Sequence, residues 1–113
     1  MELINNNEMV YENRKIEFNL WYHPDACSYI LDLTFTKDNN RVGVRHALSE
    51  THVRHAVDFK YMSLCCIDGM VRQLREEYLN QYGSVINIHN GPFKSFVESM
   101  QNDILKLKTH RES

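Results

Sequence analysis

The sequence predicts an α+β fold, an antiparallel sheet of three to four strands packed against one long helix and a C-terminal helix, in the order β-β-β-α-β-α. Three observations carry this. Apolar and polar residues alternate from Lys15 to Leu48, with two interruptions by turn-forming residues. Apolar residues then recur at helical spacing from Glu50 to about Tyr82. They do so again from Phe93 to Leu107. The chain has 113 residues, the size of a single domain, so 1–113 is taken as one unit.

Residues 1–13 contain three consecutive asparagines and little periodicity, and are expected to be a mobile lead-in with a short extended piece at Met9-Val10-Tyr11. In the first strand Ile16, Phe18, Leu20 and Tyr22 share one face, with Lys15, Glu17, Asn19 and Trp21 on the other. His23-Pro24-Asp25 ends it, because proline cannot donate to a ladder. The second strand turns Tyr29, Leu31, Leu33 and Phe35 inward and Ile30, Asp32 and Thr34 outward. Lys37-Asp38-Asn39-Asn40 is a turn, since Asp and Asn tolerate left-handed backbone. The third strand sets Val42, Val44, His46 and Leu48 against Arg41, Gly43, Arg45 and Ala47. A two-residue loop at Asn39-Asn40 pairs Phe35 with Val44, Leu33 with His46 and Leu31 with Leu48. A loop longer by two shifts the partners by two and leaves the faces in phase.

Ser49 is a good N-cap, and Glu50 suits the positive end of a helix dipole. One stripe (Val53, Val57, Tyr61, Leu64, Val71, Leu74, Tyr78) and a second beside it (Phe59, Met62, Cys66, Met70) imply a helix covered on more than one side. At ~1.5 Å per residue, residues 50–82 would span ~50 Å, too long for so small a domain. Either Asp68-Gly69 breaks the helix, or it packs against another subunit. Tyr82-Gly83 is its stop and 84–88 is a β-prone fourth strand. Asn90-Gly91-Pro92 opens the last helix, whose apolar face runs from Phe93 to Leu107. The polar tail from Lys106 to Ser113 is expected to fray, above all over 109–113.

Composition narrows the function classes. Forty-two per cent apolar and 25% charged residues describe an ordinary globular chain, and no apolar run approaches the ~20 residues of a membrane span. Thirteen basic against fifteen acidic side chains do not make a general nucleic-acid binder. Three cysteines without CxxC spacing, and an acidic N-terminus without a signal peptide's apolar stretch, point to a cytoplasmic protein with reduced thiols.

Motifs for catalysis are missing. No HExxH, GxGxxG, GxxxxGK[ST] or GxSxG occurs, and four glycines are too few for a phosphate-cradling loop. His46, His52 and His55 suggest a metal, but His46 points inward while the other two lie on a helix surface, so no tetrahedral set forms and no metal or other cofactor is expected. Cys27 beside His23, and Cys65 and Cys66, lack the third group that would make a nucleophile. Arg72, Arg75, Glu76 and Glu77 form an ordinary solvated helix face.

Two features point to binding instead. Residues 41–55 hold three arginines and three histidines against Glu50 alone. Arg41 and Arg45 share a strand face with Gly43 between them, and His52, Arg54 and His55 begin the following helix. The bland alternative pairs these arginines with Asp32 and Asp58. Trp21, the only tryptophan, lies on the polar face of its strand with Ile30 and Ala47 beside it, and tryptophan near arginine is the composition of interaction hot spots. The expected function is therefore a non-enzymatic protein–protein interaction module: a homodimeric small inhibitor or regulator, of the mobile-element accessory type, that blocks a protein with an acidic surface. Its expected binding residues are Trp21, Ile30, Arg41, Arg45, His52, Arg54 and His55. The alternatives are a nucleic-acid-binding regulator using 41–55, weak because residues 1–40 carry net −4, and a small metal- or thiol-dependent enzyme.

Overall fold

The computed structural model describes residues 1–11, 13–82 and 91–109. Four ten-residue strands, β1 (Glu2–Tyr11), β2 (Arg14–His23), β3 (Ser28–Lys37) and β4 (Asn40–Ser49), form an antiparallel meander in the order β1-β2-β3-β4. Three α-helices follow: α1 (Glu50–His55), α2 (Phe59–Tyr82) and α3 (Gly91–Leu105), the last continued by a 3₁₀ turn at Lys106–Thr109. This is an α+β sheet-and-helix fold, as the periodicities imply.

The faces of β2, β3 and β4 are those the alternation predicts. Ile16, Phe18, Leu20, Tyr22, Tyr29, Leu31, Leu33, Phe35, Val42, Val44 and Leu48 are all buried on one side. His46 shares that side but remains exposed near the sheet edge. The β3–β4 register differs by two residues from that of a loop at Asn39-Asn40. Phe35 pairs with Val42, Leu33 with Val44 and Leu31 with His46. The reason is local: within this turn Asp38 (φ 51°) and Asn39 (φ 68°) take positive φ, so Lys37 and Asn40 close the hairpin.

Residues 1–13 differ more from expectation. Instead of a lead-in, 2–11 is the edge strand β1, paired with β2 from Glu2↔Tyr22 to Tyr11↔Arg14. A register irregularity between Leu3 and Asn5 disrupts the alternation. Asn7, opposite the inward Phe18, donates to the carboxylate of Asp103 on α3, and Asn5 bonds the same carboxylate. Inward asparagines that look like a failed strand pattern are thus satisfied by a distant helix.

The fourth strand expected at 84–88 lies outside the described residues. The long helix is broken, not at Gly69, which α2 passes through, but at 56–58. Ala56 is extended (φ −62°, ψ 128°), and the Asp58 carboxylate accepts from the Tyr61 amide at 3.1 Å, capping α2. The break lets both Val53 and Phe59 bury. The tail is anchored rather than frayed up to Thr109. Leu107 is buried, and Lys108 donates to the carbonyls of Val53 (3.1 Å), Arg54 (3.0 Å) and Ala56 (3.2 Å). Residues 110–113 lie outside the described residues.

The helices cover the apolar side of the sheet, with α2 over β4 and β3 and α3 over β1 and β2. Phe35 stacks on Phe93 (6.1 Å, 10°) and tilts against Tyr78 (5.6 Å), tying the end of α2 to the start of α3. At the other end Lys108 lies 5.7 Å over the Phe59 ring. The two helices therefore run antiparallel. No described helix is long and apolar enough to cross a membrane.

Candidate functional site

The other sheet face carries no described helix, so its side chains form an open surface whose layout follows from the register. Residues directly opposite in an antiparallel pair point to the same side. One row is Leu3, Trp21, Ile30 and Ala47. The next is Asn6, Asn19, Asp32 and Arg45. Then come Glu8, Glu17, Thr34 and Gly43, and last Val10, Lys15, Thr36 and Arg41. The first row is apolar across all four strands, with Leu3 50% exposed, Ala47 exposed, and Trp21 and Ile30 half-buried.

Charges fill the remaining rows and are mutually paired. Asp32 sits between the guanidinium groups of Arg45 (3.5 Å) and Arg41 (3.9 Å) and is itself buried. Both arginines remain more than 60% exposed, so their outer N–H groups are open to a partner. Gly43 makes the arrangement possible. A Cβ there would stand 2.9 Å from the Thr34 methyl, and its absence lets Thr34 fill the gap between the arginines. On the β1–β2 side Lys15 bridges Glu17 (3.2 Å) and Glu8 (3.4 Å). The hydrogen bond and charge of Glu17, then Glu8, hold the Lys15 ammonium above its ordinary pKa.

The expected binding residues thus separate into two groups. Trp21, Ile30, Arg41 and Arg45 come together on the open face, with the arginines paired to Asp32 as the bland alternative has it. His52, Arg54 and His55 do not join them. Their helix α1 lies on the covered side, where Val53 enters the core and inward-facing Tyr22 donates to Glu50 at 2.8 Å. Arg54 pairs with Glu50 at 3.1 Å, not with Asp58, which caps α2. Leu3 was not identified from the sequence, because the irregularity beside it hides the strand.

The thiols and histidines make a thin chemical inventory. Cys66 lies 3.8 Å from His46 Nε2, yet burial, and then the neighbouring Cys65, push its thiol pKa up, away from a reactive thiolate. Cys27, in left-handed backbone (φ 48°), contacts the Pro24 carbonyl at 3.6 Å rather than His23. Among the described residues no three His, Cys, Asp or Glu side chains are grouped to hold a metal ion.

Fold and site together define a two-layer α+β protein with one sheet face left open. No family model, curated protein or solved structure matches the chain.

Proposed function

We propose that this protein is a non-enzymatic protein–protein interaction module, a small cytoplasmic inhibitor or regulator. Its open sheet face would hold a protein partner whose surface pairs an apolar ridge with carboxylates. The observation that carries this is the apolar row Leu3-Trp21-Ile30-Ala47, with Arg45 in the adjoining row and Arg41 at the far side of the face, both paired to Asp32 yet more than 60% exposed. Tryptophan supplies contact area at little entropic cost, and each guanidinium can grip a carboxylate bidentately. The face measures about 20 by 25 Å from strand and residue spacings, which suits a compact interface of the smaller class.

Homodimerisation is a second part of the proposal. Tyr61 and Leu64 lie one turn apart near the start of α2 and are 66 and 39% exposed, and Val57, in the break just before the helix, is fully exposed. Such an exposed apolar patch supports packing against a second copy. Light scattering at tens of micromolar is expected to give twice the 13.4 kDa chain mass, and a monomer would reject this part.

The binding surface is tested by comparing tagged wild-type chain with Trp21→Ala and with Arg41→Ala/Arg45→Ala in affinity purification from the native host. A partner that is retained by the wild type and weakened at least ~10-fold by each folded variant supports the proposal. Loss with the arginine pair alone favours a nucleic acid. No change in either variant rejects the sheet face.

A further inference from the structure

A second surface, independent of the sheet face, lies between α2 and α3. It is a cavity of about 550 Å³ bounded by Ile67, Asp68, Val71, Arg72, Arg75, Lys94 and Val97. That volume falls within the range of about 300–1,000 Å³ usual for small-molecule sites. Its lining is polarised along the helices. Arg75 is one turn before Tyr78, and Lys94 follows Phe93, so both lie at the end where Phe35 bridges Tyr78 and Phe93. Arg72 is one turn further in. Ile67, Val71 and Val97 form an apolar floor, and the single lining carboxylate, Asp68, lies near the opposite end.

The cationic end is uncompensated. Among the described residues no carboxylate comes within ion-pair distance of Arg72, Arg75 or Lys94, although Lys15, Arg41, Arg45 and Arg54 all have such partners. The Nε of Arg75 is moreover buried without a hydrogen-bond acceptor. A carboxylate at this end would pair with the exposed guanidinium and ammonium groups that line it. The solvated-face interpretation of Arg72 and Arg75 leaves the buried Arg75 Nε without an acceptor.

We infer that this groove binds a small amphipathic carboxylate, a medium-chain acyl anion. Its head sits among Arg72, Arg75 and Lys94, and its chain lies along Val71, Val97 and Ile67. From Arg75 to Ile67 the groove runs ~12 Å, enough for about eight extended carbons. The floor is too short for an amphipathic peptide helix, which needs anchors over several turns.

The test is titration of the full chain with octanoate, acetate and octanol, followed by backbone amide NMR shifts and calorimetry. Octanoate is expected to bind saturably with a Kd below about 1 mM, moving resonances of α2 and α3. Acetate and octanol should each bind at least ~10-fold more weakly, as should octanoate to Arg75→Gln/Lys94→Gln. Arg72→Gln, an exposed single change, gives the same comparison should the double variant fold poorly. Equal binding of acetate would overturn the role of the floor, and equal binding of octanol that of the cations. Absence of saturation, or unchanged affinity in the folded variants, would overturn the site itself. Trp21 fluorescence should stay constant throughout, which separates this result from the sheet-face proposal.

Discussion

Lys108 is the residue whose removal should most clearly reveal how the fold is closed. Its ammonium meets the carbonyls of Val53, Arg54 and Ala56 at 3.0–3.2 Å, and so fills the end of α1, where backbone acceptors have no partners of their own. Lys108→Met keeps the stem but removes all three hydrogen bonds and the charge. A cation at a partly buried helix C-terminus contributes up to ~2 kcal/mol. Its position over Phe59 adds about 0.5–1 kcal/mol. Water will replace part of this, because the side chain is half-buried, so a loss of about 1–2 kcal/mol is expected. For a chain of this size each kcal/mol moves Tm by ~4 °C, giving a fall of roughly 4–8 °C. Urea denaturation should show a lower midpoint at unchanged slope. Lys106→Met, on the exposed side of the same turn, should change stability by no more than ~0.5 kcal/mol. A Lys108→Met variant as stable as Lys106→Met would refute the anchored tail and the cap on α1 together.

Two further outcomes concern the interior. Burial raises the pKa of Asp103 despite the opposing influence of Lys106, Asn5 and Asn7. The folded state then holds its proton more tightly than the unfolded state, so this group's contribution to stability falls as pH rises from the ordinary carboxylate range through the raised value. Asp103→Asn should flatten that part of the stability–pH curve, measured by urea unfolding between about pH 4 and 7; an unchanged slope would assign it elsewhere. Gly69 lies inside α2 with nothing within 4 Å of where a Cβ would stand, so Gly69→Ala should stabilise by about 0.5–1 kcal/mol in the same assay. Destabilisation would mean that α2 is not a regular helix through this point.

What the sequence made legible was set by how local the deciding interactions are. The inward faces of β2, β3 and β4 depend on alternation alone, and the Ser49 cap on a side chain three residues from its target, the His52 amide at 3.0 Å. The turn register depends on which two of Lys37-Asp38-Asn39-Asn40 take positive φ, a choice that composition does not resolve among Asp and Asn. β1 was hidden because its inward Asn5 and Asn7 are satisfied only by Asp103, about ninety-six residues further along the chain. The break at 56–58 was hidden because Val57 fits the apolar stripe by spacing yet lies fully in solvent. At the candidate site, Trp21, Ile30 and the Asp32-paired arginines could be read from strand parity. That His52, Arg54 and His55 lie on the covered side could not, because it depends on where α1 turns after Ser49.

The open face and the helix groove differ in what the fold asks of them, and that difference supports treating both as working surfaces. A four-stranded sheet needs one face buried for stability, and α2 and α3 provide it. The second face could therefore be polar throughout, as many solvated antiparallel faces are. Three of its four rows follow that rule in their centres, which are Asn19-Asp32, Glu17-Thr34 and Lys15-Thr36. The fourth does not: Leu3, Trp21, Ile30 and Ala47 cross all four strands at the same level. Burying such a row would stabilise a complex at about 25 cal/mol per Å² of apolar area, whereas leaving it in water adds nothing to the monomer's core. Arg72, Arg75 and Lys94 likewise contribute no described ion pair to the fold they line. These exposed apolar and cationic groups, which add little to the folded core, are what the two binding proposals rest on.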